Sequence, residues 1–288
     1  MLSPKTALTR RRMLQRLAIS VATAAAVGGH RPLTAHADGG ASDRQTLDAA
    51  LRSIPLQSLS AEARGKIQYV TGASSFYRRL PQKSIDCDPA IFRELVRYPE
   101  LLIGMWDVMG ATKVQVRRVA PYIFEGDDSA GTQCVAELLF GNDAVHIYYA
   151  TGDYTGKLVQ RKIDGASVCV VHHRNSVDAA GSPWVTAYMD VFLRIDNVGA
   201  DLIVRTLAPL VAGTADQNFM ESMEFISQVS QASQENPYGV RTLTQKLRMA
   251  DASVKERFSA EVFLAAERFA QAQDAATAAA PQPAHPRR

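Results

Sequence analysis

The sequence predicts an α+β fold: a curved antiparallel sheet of about six or seven strands gripping a long C-terminal helix, with extra flanking helices. Two observations carry this expectation. From Gly110 to Asp196 apolar and polar residues alternate, interrupted only by short turn signals, which is the periodicity of neighbouring antiparallel strands. Directly after the last strand, Asp201 to Ser233 changes to helical spacing and offers the longest apolar surface of the chain. A sheet with one apolar face needs a cover, and this segment is long enough to supply it.

Residues 1–37 read as an address. A basic start is followed by the apolar run Leu17 to Val27 and by the small-residue site Ala35-His36-Ala37 before Asp38. The run is shorter than the ~18 to 20 apolar residues of a spanning helix. Thr9-Arg10-Arg11-Arg12-Met13-Leu14-Gln15 resembles a twin-arginine export motif, with Arg10, Arg11, Met13 and Leu14 at its defining positions and Gln15 departing from the usual Lys. The resemblance implies a twin-arginine translocase as partner during export, cleavage after Ala37, and a mature protein in the periplasm or cell envelope.

The formal charge of +3 is uneven. Six of the 32 basic residues precede residue 38 and none of the 29 acidic ones does, so the remainder carries 26 against 29, a net of −3. Nucleic acid is excluded as a partner, because phosphate binding needs clustered, surplus Lys and Arg. Cys87, Cys134 and Cys169 are too widely spaced for a zinc pattern or a disulfide framework and read as buried free thiols on strands.

Along the mature chain, residues 38–75 form a helical arm. Gln45 to Ile54 and Ala61 to Val70 have apolar spacings of three and four, with Ser60 as an N-cap. Residues 76–233 form the main domain. It starts with the extended segment Phe76 to Cys87 and turns helical at Asp88-Pro89, where Asp88 can cap and proline is harmless. Helices Ala90 to Arg97 and Glu100 to Met109 follow. Six strands come next: Thr112 to Arg118, Tyr122 to Glu125, Gln133 to Phe140, Ala144 to Thr151, Ala166 to Arg174 and Trp184 to Asp196. Pro209 and Gly213 split the following apolar stretch into two helices, Asp201 to Val211 and Ala215 to Ser233. Residues 234–274 add further helices, Val240 to Met249 and Val254 to Gln273. Residues 275–288, rich in Ala and Pro, bury too little to stay ordered.

From Phe76 to Ser233 this order resembles the START-like superfamily, which includes lipid-transfer START domains, Bet v 1-type allergens and polyketide cyclases. The resemblance rests on the Ile85-Asp86-Cys87-Asp88-Pro89 strand-to-helix step, the Pro99 and Trp106 region, the Gly131-Thr132 turn, and the Trp184 to Asp196 strand feeding a long helix. It implies an apolar cavity between sheet and helix. That superfamily has no universal catalytic motif, so no functional residue is carried across, and no cofactor or metal is expected.

The expected ligand-binding residues are Trp106, Tyr188, Asp190, Phe192, Arg194, Phe219, Met220, Met223 and Ile226, and the expected ligand is an apolar small molecule or lipid. His172 and His173 are adjacent on one strand, so they face opposite ways and cannot share a metal. Each histidine reads as solvent-facing or at a sheet edge, Asp190 and Arg194 read as a solvated ion pair, and Arg78-Arg79 and Arg117-Arg118 as exposed basic pairs. No GxSxG, HExxH, GxxxxGK or GxGxxG is present. An enzyme on the same scaffold, using Asp190, Arg194, a His or a Tyr, is the second reading. A non-catalytic envelope protein that docks a partner through Val254 to Phe269 is the third.

Overall fold

The computed structural model describes residues 41–156, 162–179, 181–196 and 208–279. The expected export signal and the segment 201–207 lie outside the described residues.

Among the described residues eight strands form one sheet: β1 Phe76–Arg79, β2 Lys83–Asp86, β3 Gln115–Ala120, β4 Ile123–Asp127, β5 Thr132–Gly141, β6 Val145–Tyr154, β7 Ile163–Val177 and β8 Pro183–Ile195. From β3 to β8 each strand pairs antiparallel with the next, as the short connections require, and β1 joins on the far side of β8. The segment Phe76 to Cys87 is therefore two strands. β1 pairs along one half of β8, with Phe76 opposite Leu193, and β2 along the other half, with Asp86 opposite Trp184.

Among the described residues seven α-helices accompany the sheet: α1 Arg44–Ser53, α2 Ala61–Thr71, α3 Pro89–Arg97, α4 Pro99–Val108, α5 Ala208–Glu235, α6 Pro237–Gln245 and α7 Ala252–Ala279. Local chemistry sets their starts. Asp43, Ser60, Asp88 and Asn236 each accept a hydrogen bond from a backbone N–H of the first turn of α1, α2, α3 and α6 respectively. Two expectations about the C-terminal half need correction. The helix split expected at Gly213 is absent, because α5 runs unbroken from Ala208: Pro209 occupies its second residue, where no N–H is needed, and an interior glycine costs only about 1 kcal/mol. The expected tail at residue 275 begins too early. Alanine is the strongest helix former, so α7 continues to Ala279, just short of Pro281.

Two separate cores lie on the two faces of the sheet. On the inner face, Tyr148, Cys169, Val171, Val185, Ala187, Met189 and Val191 meet Phe219, Met223, Ile226 and Val229 of α5. Val240, Leu247, Val254, Phe258 and Val262 belong to this same core, so α6 and α7 are structural parts of the domain. On the outer face, Ile147, Val168, Val170 and Phe192 meet Ala50, Ile54, Ala63, Ile67 and Val70 of the arm. An antiparallel sheet sandwiched between a long C-terminal helix and a second helical layer matches a helix-grip fold carrying an extra cover. No described helix is long and apolar enough to cross a membrane.

Candidate functional site

The expected ligand-binding residues divide between the two faces. Trp106, Phe219, Met220, Met223 and Ile226 gather on the inner face. There the rings of Trp106 and Phe225 lie 5.6 Å apart, Phe219, Met223 and Ile226 are buried, and Met220 is partly buried. Helix α5 is held in place by polar bonds. Ser227 Oγ donates to the Asp86 carbonyl at 2.7 Å, Ser230 Oγ accepts from the Asp88 N–H at 2.8 Å, and Arg78 pairs with Asp216. Phe and Met therefore face the sheet at fixed height, with side chains that can adapt.

Tyr188, Asp190, Phe192 and Arg194 lie on the opposite, outer face, and so cannot share a pocket with the α5 residues. Alternation along β8 dictates this, since Val185, Ala187, Met189 and Val191 take the inner side. Asp190 is also not a solvated partner of Arg194. Its buried carboxylate receives both Arg79 Nε and Nη2 at 2.9 Å and the Tyr77 hydroxyl at 2.8 Å. Arg194 instead bonds Asp196 at 3.0 Å and stacks on Tyr69, 3.8 Å from the ring centroid. Phe192 is fully buried against Tyr77.

His172 completes the cluster around Asp190. Its Nε2 is 3.6 Å from Asp190 and 3.3 Å from Ser53 Oγ on α1, and its ring stacks on Tyr188 at 4.7 Å. Ser53, His172 and Asp190 superficially form a nucleophile triad, but the wiring is wrong. A triad orients the base through one ring nitrogen and activates the hydroxyl through the other, whereas here both partners meet Nε2. Ser53 Oγ also donates to the Ala50 carbonyl at 2.7 Å. The cluster clamps the arm to the sheet.

His172 and His173, expected to be solvent-facing or at an edge, are buried, as is His146, because both faces of β6 and β7 are covered at these positions. His172 and His173 do face opposite ways. His173 meets His146 on the inner face, with Nε2 3.2 Å from His146 Nδ1 and the rings stacked at 5.2 Å. Arg97 Nε donates to His146 Nε2 at 3.1 Å, which makes that nitrogen an acceptor and leaves the His146 proton on Nδ1, aimed at His173. Burial pushes His146 down to about 3 and His173 down to about 4, with Arg97 and Arg93 adding to the effect in both, so both rings are neutral at ordinary pH. Among the described residues no group of three or more His, Cys, Asp or Glu side chains is placed to hold a metal.

A second buried charge cluster was not legible from spacing. Tyr98, between α3 and α4, has Arg118 over its ring at 5.0 Å and Arg257 of α7 at the same distance. Arg118 pairs with Glu100, and Arg257 bonds Glu94 at 2.7 Å and the Tyr98 hydroxyl at 2.8 Å. Burial raises Glu100 despite Arg118. All four arginines expected at the surface are engaged in ion pairs; Arg78, Arg79 and Arg118 are largely covered, whereas Arg117, paired with Glu125, is open at 73% side-chain exposure. The three thiols are buried and free, and burial lifts Cys87 and Cys169 to about 12 and Cys134 to about 11, which removes any nucleophilic thiolate.

No protein family matches the chain, and no curated relative does. Among solved structures, a conserved protein from Geobacillus kaustophilus is similar over 51% of this chain and 93% of its own, at 7% identity and a TM-score of 0.36. Ara h 8.0201 is similar over 50% of this chain and 99% of its own, at 6% identity and a TM-score of 0.26. The di-domain ARO/CYC BexL from the BE-7585A biosynthetic pathway covers 60% of this chain and 58% of its own, at 13% identity and a TM-score of 0.28. Likenesses this distant say nothing of activity, and the fold assignment stands on the topology itself.

Proposed function

We propose that the protein is an exported helix-grip protein that holds an apolar small molecule or lipid between the inner sheet face and α5. One observation carries the reading. Five of the eight methionines, Met105, Met189, Met220, Met223 and Met249, border the inner core, whereas the outer core contains none and is built from Ala, Ile, Val, Leu and aromatic side chains. Methionine, unbranched and polarizable, repacks around variable apolar shapes more readily than β-branched residues do. The inner layer is thus the one composed to yield to a guest, and the outer layer the one composed to stay fixed.

Native mass spectrometry of the mature protein from its own envelope tests the reading, together with binding of a fluorescent fatty acid. The expected result is a co-purifying apolar ligand, and fatty-acid binding that Met223→Trp abolishes while far-UV circular dichroism is unchanged. Protein that carries no ligand and binds no fatty acid overturns it. Export rests on the first 37 residues. Arg10→Lys/Arg11→Lys should leave the protein in the cytoplasm, and the mature N-terminus should be Asp38; unaltered export of that variant overturns the twin-arginine assignment.

In the partner-docking alternative, Val254, Phe258, Val262 and Ala265 face the inner core, which leaves Leu264 and Tyr238 as the exposed apolar residues of that region.

A further inference from the structure

An apolar guest of the inner layer has to cross the wall of that layer, because the side chains that would hold it, Phe219, Met223 and Ile226, are buried. Helices α3, α5 and α7 build part of the wall, and Ile91, Val229 and Val262 from the three of them belong to the inner core. Where the start of α3, the end of α5, the start of β8 and α7 come together, the wall is indented by an open concavity of about 500 Å³. That size falls within the roughly 300 to 1,000 Å³ of ligand pockets. Its apolar walls are Pro89, Ala90, Pro183, Ala265, Phe269 and Ala272. All but Phe269 are small, and Ala265 is itself a member of the inner core at 1% exposure, so the concavity ends against that core.

The part of α7 beside the concavity is lightly packed. After Ala265 no residue of the helix up to 275 is buried. Arg268 ties this part to α3, its Nε and Nη2 donating to the Asp88 carboxylate at 2.8 and 3.0 Å. The tie is half in water on one side only: the Arg268 side chain is 44% exposed and that of Asp88 is 7% exposed. Each partner also has other bonds to keep when the tie opens. Arg268 retains Glu261 of its own helix at 2.7 Å. Asp88 retains the N–H groups of Ala90 and Ile91 at 2.8 and 3.3 Å, and its own N–H stays on Ser230 of α5. Arg268 can therefore let go without uncapping α3 and without leaving either charge bare.

We propose, resting on the apolar-ligand reading above, that this concavity is the mouth of the inner layer. The ligand enters and leaves between α3 and α7, with the Arg268 to Asp88 pair as the strap across the gap and Phe269 as the plug behind it. A strap of this kind acts on the path and not on the bound state, so it sets the rates of uptake and release together and leaves the affinity alone.

The experiment is stopped-flow mixing of the mature protein with a fluorescent fatty acid, anthroyloxy-stearate, followed by its release into excess unlabelled oleate. Arg268→Ala removes the strap and should raise both rate constants about tenfold, the equivalent of one charged hydrogen bond, with the dissociation constant held within about twofold. Ala272→Trp obstructs the mouth and should lower both rate constants about tenfold, again at constant affinity. Ala272 is exposed, so its variant remains informative even if Arg268→Ala loosens α3. Wild-type rates in both variants, with binding intact, overturn the mouth and leave the apolar ligand standing. A changed dissociation constant at an unchanged association rate overturns it too, since the concavity would then hold the ligand instead of passing it. If the wild type binds no fatty acid, the apolar-ligand reading falls first and the mouth with it.

Discussion

Acidification from pH 7 to pH 5 should destabilise the protein sharply, through the paired histidines of the inner face. In the unfolded chain each histidine titrates near 6.5. In the folded protein burial holds His146 down to about 3 and His173 to about 4, so at pH 5 both are neutral when folded and largely protonated when unfolded. Stability is present in full above 6.5 and is lost as pH falls from there toward the folded values. Over the 1.5 units between 6.5 and 5, at 1.36 kcal/mol per unit, each ring forfeits about 2 kcal/mol, and the pair about 4 kcal/mol. That is a large part of the 5–15 kcal/mol typical of a domain. His172, also lowered by burial, acts in the same direction. Glu100, raised by burial, acts in the opposite one. The assay is urea unfolding at pH 7, 6 and 5 for the wild type and for a His146→Gln/His173→Gln variant, whose amides do not titrate. The variant should start less stable at pH 7 but lose roughly 3 to 4 kcal/mol less on acidification. Parallel losses in the two proteins would refute the reasoning, because the histidines would then be as accessible to protons in the fold as outside it.

Other substitutions probe the remaining elements. Asp190→Ala leaves Arg79 and Tyr77 without their shared acceptor and should cost about 3–5 kcal/mol, with hydrogen exchange rising first in α1 and α2. Ser53→Ala, by contrast, should change stability by less than about 0.5 kcal/mol, since Ser53 lies at the rim and activates nothing; a large effect on any activity found would contradict the structural role given to the cluster. Phe258→Ala in α7 should lose about 3–5 kcal/mol in a single cooperative transition, whereas a separately melting C-terminal unit would show that α7 is peripheral. Ser230→Ala strips the Asp88 N–H of its acceptor and should cost about 1–3 kcal/mol, read as a lower urea midpoint.

Local patterning exposed much of this architecture and little of its polar interior. Alternation from Gly110 onward is visible because each residue of an antiparallel strand sees only two sides, and the six strands read from it are present with shifted ends. The Asp88-Pro89 start and the Ser60 cap are legible because the capping atoms sit within three residues of their partners. Asp190 was misplaced in its surroundings because its partners, Tyr77 and Arg79, are more than a hundred positions away. Nothing in the alternation of β8 tells which strand lies beyond it or that an arm closes over it. The same holds for His146 and His173, which only the β6 to β7 register brings together, and for Tyr98, whose two arginines come from β3 and α7. The α5 boundary was misjudged for a different reason. Proline and glycine signal breaks statistically, but near a helix start neither removes a needed bond.

The two-sided covering of the sheet has a mechanical consequence. A β layer clamped on one side by the arm and on the other by five helices is a stiff wall, and any swelling of the inner volume must be taken up by the helices. Ser227 and Ser230 pin the C-terminal half of α5 to the β2 to α3 corner, while Asp216 in its other half pairs with Arg78 of β1. The helix is thus anchored to the sheet layer in both halves, and a widening of the inner space would strain these polar contacts.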